Sequence, residues 1–257
     1  MVITMNYWTE DKTEVRFHML RPAEIVARRK AVSVAWVPLG TLEWHGRHNP
    51  IGSDTLQAEG LCIIGARKYG GVVMPPVYWG DVRLGNVVET VEHFRCKDVA
   101  AALELPSEGF FNFPTTREEQ MAIYDTLLTY ILYEVQSYGY EDCILLCGHY
   151  PLMGPAGEMA EAFNAAGQRM HAHAFVDYAL LREEYPYSGD HGAYWETSHM
   201  LALHPERVDI ELLSHCDDPM LGVNTPHGMY PQDADGAFGY MVMERAADHV
   251  WTKIGRG

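Results

Sequence analysis

Long apolar runs are missing from this 257-residue chain, and no stretch approaches the ~18 residues of a membrane-spanning helix. The opening segment Met1–Glu10 lacks a basic stretch followed by an apolar one, so it does not read as a secretion leader. Basic residues are few. Nineteen Lys and Arg against 35 Asp and Glu give a formal net charge of −16, which argues against nucleic acid or an anionic membrane as a partner. Cysteine is sparse and odd in number: Cys62, Cys96, Cys143, Cys147 and Cys216 form no C-x-x-C pair. Cys143 and Cys147 bracket the apolar Ile144-Leu145-Leu146, so free buried thiols and a reducing, cytoplasmic setting are expected. Repeats, low-complexity segments and linkers are absent too, which leaves one domain over 1–257 as the expectation.

What is present suits a globular chain, with 47% hydrophobic and 21% charged residues. A chain this long buries roughly 70–75% of its unfolded surface and needs no disulfides. Apolar, β-branched runs at 32–38, 72–79 and 142–147 read as strands, and 170–176, which alternates His with apolar residues, reads as a fourth. Between them lie helical patterns. One starts at Pro22, one at Asp54 or Thr55 as cap and ends near Lys68, and one starts at Thr115 or Thr116 with Glu118 and Glu119 in its first turn. Further helices are expected over 154–166, 193–203 and 238–254, with loops and a short strand over 80–114. Alternation of this kind predicts a three-layer α/β domain, its mostly parallel sheet covered by helices on both faces.

The densest chemistry lies just after the first strand, in Leu39-Gly40-Thr41-Leu42-Glu43-Trp44-His45-Gly46-Arg47-His48-Asn49-Pro50-Ile51-Gly52-Ser53-Asp54. Its glycines and proline disfavour helix, so the strand feeds a loop presenting Glu43, His45 and Asp54. Strand ends of α/β sheets are where ligands are held, and mixed imidazole and carboxylate donors suit zinc, manganese or iron. Gly148-His149 follows the third strand, and Ser188-Gly189-Asp190-His191-Gly192 with Glu196-Thr197-Ser198 follows the fourth; a parallel sheet brings such ends to one edge. Arg47 beside His48 disfavours a metal there, and His171 and His173 read as strand histidines. His227, in a turn, is a weaker candidate for substrate contact, and Asp81 and Arg83 read as solvated loop residues. Trp44, Tyr78, Trp79, Tyr150, Tyr194 and Trp195 could wall a pocket or pack the core.

These three segments, in order and spacing over about residues 30–210, resemble the signature of the creatininase (creatinine amidohydrolase) family. Its first motif has the form P-x-G-S-x-E-Q-H-G-x-H-L-P-x-x-T-D. The resemblance implies an α/β hydrolase, often hexameric, that uses metal-activated water. It carries metal-ligand roles to Glu43, His45, Asp54 (bridging) and His149, and the catalytic histidine to His191. Creatininase has a ligating Glu two residues past the second-motif His, and many relatives read G-H-G-G-N there. This chain has Tyr150-Pro151, which points to Glu196 as the completing ligand, argues against creatinine itself, and leaves both one and two metals open. The resulting expectation is a homo-oligomer acting on a small molecule through a divalent ion, zinc before manganese or iron. The reaction is hydrolysis of a cyclic amide or related C–N bond. Alternatives are C–C cleavage of a cyclic β-diketone in sugar or inositol catabolism, hydrolysis of a formamide, maturation of a small peptide, and a non-catalytic metal-binding protein.

Overall fold

The computed structural model describes residues 13–80, 96–104 and 116–256. In chain order its helices and strands are α1 (Pro22–Ala31), β1 (Val34–Leu39), α2 (Ser53–Tyr69), β2 (Val72–Val73), α3 (Cys96–Ala102), α4 (Arg117–Ser137), β3 (Asp142–Cys147), α5 (Met153–Ala165), β4 (His171–Val176), α6 (Asp177–Leu181), α7 (Tyr194–Leu203), α8 (Glu211–Ser214) and α9 (Gly236–Lys253). All strand pairs are parallel, in the order β2-β1-β3-β4. Among the described residues, no helix is long and apolar enough to cross a membrane.

Both faces of the sheet are covered, so successive side chains of each central strand enter different cores. Val34, Trp36, Ile144 and Leu146 pack with residues of α2, α7 and α9. Ala35, Val37, Leu39, Cys143, Leu145 and Cys147 pack with residues of α4 and α5. This two-sided burial is why β1 and β3 read as continuous apolar runs rather than alternating ones.

Three elements differ from the sequence expectation. The second strand was expected over 72–79, but β2 ends at Val73 and only an isolated bridge, Leu39 to Val77, follows. Pro75 and Pro76 have no N–H to donate to a ladder. The short β2 in turn suits Pro38, whose carbonyl faces that side and accepts from Val77 N–H. Within 80–114, where loops and a strand were expected, α3 forms from helix-favouring Ala100, Ala101 and Ala102, with Val99 buried against Trp44 and Leu221. Asp81 and Arg83 lie outside the described residues. Finally, neither Asp54 nor Thr55 caps α2: the N-cap is Gly52, with no side-chain cap. Asp54 sits in the first turn, where a negative charge is favoured by the helix dipole, and its carboxylate turns toward imidazoles instead. Thr116 does cap α4, in a capping box with Glu119.

The sheet edge meets α2 at Gly148. A Cβ there would lie 1.8 Å from the Asp54 carbonyl oxygen, a backbone atom that cannot step aside. Gly148→Ala is therefore expected to destabilise the fold by at least about 1–3 kcal/mol, the range for overpacking. An unchanged urea midpoint would show that β3 and α2 can part without cost.

Candidate metal and active site

The ends of β1 and β3 and the loop before α7 converge as the parallel topology requires. His45 comes from the loop after β1, Asp54 from the first turn of α2, His149 from the end of β3, and His191 and Glu196 from the loop and first turn at α7. Glu43, His45, Asp54, His149 and Glu196 are all buried.

Asp54 stands between two groups. Its Oδ1 lies 2.9 Å from His45 Nε2, which is also 3.3 Å from Glu196 Oε2. Its Oδ2 lies 3.0 Å from His149 Nδ1, which is also 2.9 Å from Glu43 Oε2. Two triads thus form, His45–Asp54–Glu196 and Glu43–Asp54–His149, each with one ligand-type atom per residue inside 4.8 Å. A third such group, Glu43–His45–His191, overlaps both. The Nδ1–H of His45 points to the Glu43 carbonyl at 3.0 Å, which turns Nε2 toward the carboxylates. A backbone partner of this kind orients metal-ligating histidines.

Glu196 is held by its surroundings. Gly192 N–H donates to its Oε2 at 2.7 Å, and Gln57 Nε2 donates to its Oε1 at 3.3 Å. Gln57 Oε1 in turn faces His199 Nδ1 at 3.0 Å. Asp190 accepts from the N–H groups of Trp195, at 2.6 Å, and Glu196, tying down the start of α7. Gln57 escapes sequence reasoning because it meets Glu196 only through the packing of α2 against α7, and His199, on α7 itself, is joined to this network through Gln57.

Burial raises the carboxyl pKa of Glu43, but its hydrogen bond to His149 lowers it further, and the net shift is downward. Glu196 is likewise penalised by burial, yet the His45 ring beside it brings it to about 2. Burial disfavours charge on His45, but Asp54 and Glu196 raise its pKa well above the ordinary 6.5. Asp190, buried and near Glu196, is pushed up to about 8. Burial and the charge of His45 lower His191, which favours its neutral ring. His191 Nε2 donates to the Trp44 carbonyl at 2.7 Å, which makes Nδ1 the acceptor nitrogen.

The triads open into a cavity of about 300 Å3, whose wall includes Tyr150, Tyr178, Arg182, Asn224 and Pro226. The loop carrying Asn224 is joined to the site, since Asn224 and His191 exchange backbone hydrogen bonds. Of the six aromatic residues considered from sequence, only Tyr150 lines this cavity. Trp44 and Trp195 are buried in cores, Trp79 is 77% exposed, and Tyr194 packs on Phe238. His48 is buried against Thr197 and Asn49, with its pKa lowered by burial to about 4, and takes no part in the triads. His173 pairs with Asp142 on the strand, and His227 is exposed and not part of the cavity wall. Tyr178 and Arg182 carry no motif; the available signal was position, since both follow β4 at the edge where the other strand ends meet.

A parallel α/β sheet that gathers two imidazoles and three carboxylates at its strand ends, with one aspartate shared, defines a candidate metal-dependent hydrolase. The chain belongs to the creatininase family of metal-dependent amidohydrolases, matching creatinine amidohydrolase over residues 18–250. The creatinine amidohydrolase of Pseudomonas putida is 24% identical over 219 residues, 78% of this chain and 74% of that one. Among solved structures, a mutant creatininase of Zn-Zn type aligns over 94% of this chain and 97% of its own, at 22% identity and a TM-score of 0.62. A manganese creatininase aligns over 94% and 98%, at 22% identity and a TM-score of 0.63. These structures share the fold.

Proposed function

We propose that this protein is a hydrolase that opens a small cyclic amide or related C–N bond, with a divalent ion held by Glu43, His45, Asp54, His149 and Glu196. The observation that carries this reading is Asp54, each of whose oxygens faces an imidazole nitrogen that a glutamate oxygen also faces. The residues fit an ion. Asp54 Oδ2 and Glu43 Oε2 are both buried against the single nitrogen His149 Nδ1, at 3.0 and 2.9 Å, which carries at most one proton for the two, and nitrogen and carboxylate donors in this ratio suit zinc or manganese. The zinc and manganese forms of the related creatininases support the same choice. Such an ion supplies Lewis acidity to a carbonyl oxygen and acidifies water.

The remaining work falls to the chain's own groups. His191, its tautomer fixed by Trp44, takes a proton from the attacking water at Nδ1 and passes it to the departing nitrogen. Gly192 and Gln57 hold the Glu196 carboxylate at two oxygens. Tyr150 and Tyr178, ring centroids 5.5 Å apart, line one wall of the cavity. We read the working protein as a cytoplasmic homo-oligomer, as the family resemblance suggests.

The test is product analysis with metal-reconstituted protein on cyclic amides, formamides and cyclic β-diketones. Release of an amine together with a new carboxylate supports the reading. A carboxylate formed from diketones alone, with no C–N substrate turned over, would replace it with C–C hydrolysis.

Metal binding is also expected to release protons. In the metal-free protein both ring nitrogens of His45 face oxygens, so the ring holds a proton that an ion must displace. His45's raised pKa gives the metal-free fold stability that is present below 6.5 and lost as pH rises through the raised value. The lowered Glu43 and Glu196 give stability present above 4.5 and lost as pH falls through their folded values. The metal-free protein should therefore draw most on this site between about pH 4.5 and 6.5, and zinc affinity should weaken as pH falls. Calorimetry in two buffers of different ionisation enthalpy counts the protons; none released at pH 6.5 would remove His45 from the ligand set.

A further inference from the structure

The cavity wall contains four carboxylates and, among the described residues, one lysine or arginine, Arg182. Each acid has an assignment. Glu43, Asp54 and Glu196 supply the triads, and the two oxygens of Asp190 accept from backbone N–H groups at the start of α7. Arg182 has no ion pair among the described residues: its Nη2 donates to a backbone carbonyl, that of Ser188, at 3.3 Å. Elsewhere on the molecule Arg16, Arg245 and Arg256 are matched with Glu14, Glu184 and Asp142, while Arg28, Arg29 and Arg67 donate to backbone carbonyls as Arg182 does; what sets Arg182 apart is its place on the cavity wall. A guanidinium carries five N–H donors in a planar fork, and the one bond to Ser188 leaves most of that fork for another group.

The side chain is also braced. Arg182 follows Tyr178 by four residues, one helical turn, and its guanidinium carbon lies 5.6 Å from the Tyr178 ring centroid. Gly189 fixes the ring from another direction: a Cβ there would come within 2.9 Å of it, and the residue has a φ of +86°. Ser188 is itself anchored, its hydroxyl donating to the Tyr178 carbonyl at 2.8 Å and its N–H to the Tyr185 carbonyl at 2.9 Å. Arg182 is exposed, and its cation is held at the cavity wall by the Tyr178 ring and a backbone carbonyl, neither of which cancels its charge.

We propose that Arg182 is the specificity residue for a carboxylate on the substrate, so that the preferred substrates are small cyclic amides bearing a carboxylate. The proposal rests on the reading of the triads as the reacting end of the cavity. Arg182 receives the carboxylate while the amide carbonyl lies toward Asp54 and His191, which line the same cavity. A bidentate charge-assisted pair gives both affinity and orientation, which an otherwise acidic wall could not offer an anion.

The test uses the full chain loaded with zinc, and 5-oxopyrrolidine-2-carboxylate beside its uncharged 2-carboxamide. Calorimetric titration is expected to show the carboxylate bound roughly 10- to 100-fold more tightly. In Arg182→Gln that ratio should fall to within about 3-fold of one, and Arg182→Lys, which keeps the charge but not the fork, should retain part of it. Zinc content and thermal midpoint, measured alongside, report whether each variant keeps the fold. Equal binding of the two probes, binding of neither at millimolar concentration, or a preference that survives Arg182→Gln overturns the proposal. Turnover is read separately: a carboxylate preference without hydrolysis of either probe supports Arg182 as the anchor and counts against C–N hydrolysis.

Discussion

Asp54→Asn is expected to lower kcat/KM by more than about 100-fold and to strip bound metal from both triads together, because a residue that only supports a ligand already contributes 10- to 100-fold. Asp54 alone places an oxygen in both the His45–Asp54–Glu196 and Glu43–Asp54–His149 groups. The amide keeps the shape of the side chain but offers one acceptor oxygen where two are needed. The fold should survive. Asp54 does not cap α2, and the structural contact at this point is between its backbone carbonyl and Gly148, which the substitution leaves alone. Glu196→Gln is the matched comparison, since it disturbs one triad and leaves Glu43–Asp54–His149 intact. Metal per chain by elemental analysis, with turnover on the same samples, checks the pair. Equal losses in the two variants would mean that the triads are not joined through Asp54.

The contrast between Asp54 and Arg182 shows where sequence is informative. Glu43, His45 and Asp54 are close in the chain, and the loop joining them is punctuated by Gly46, Pro50 and Gly52, so their convergence is a local matter. His149 and Glu196 are remote, yet legible, because parallel strands deliver their ends to one edge: His149 follows the end of β3 closely, and Glu196 reaches that edge through the loop after β4 and α6. Gln57 and His199 required the packing of α2 on α7, which no periodicity reveals. The aromatic residues mislead for a related reason. Trp44 and Trp195 flank ligand positions in sequence but are turned into cores, whereas Tyr178, outside every motif, faces the cavity. The length of β2 was set by Pro75 and Pro76, a signal present in the sequence but subordinate there to the surrounding valines.

His191→Gln is expected to lower kcat by roughly 10²- to 10⁴-fold, the usual worth of a positioned proton-transfer group, with KM little changed. Glutamine suits the question because its terminal amide can still donate to the Trp44 carbonyl, as His191 Nε2 does at 2.7 Å. What it removes is the acceptor nitrogen Nδ1. His191 stands beside His45, ring centroids 4.5 Å apart, and its neutral form is favoured by burial and by that neighbour. A neutral ring at neutral pH can take a proton, and a ring kept beside the ligands can return it to a leaving nitrogen. The competing role is ligation, since Glu43, His45 and His191 also place ligand-type atoms within 4.8 Å of one another. Metal content separates the two: full occupancy with a collapsed kcat makes His191 the proton carrier, whereas loss of metal from His191→Gln makes it a ligand and leaves the proton transfer to another group.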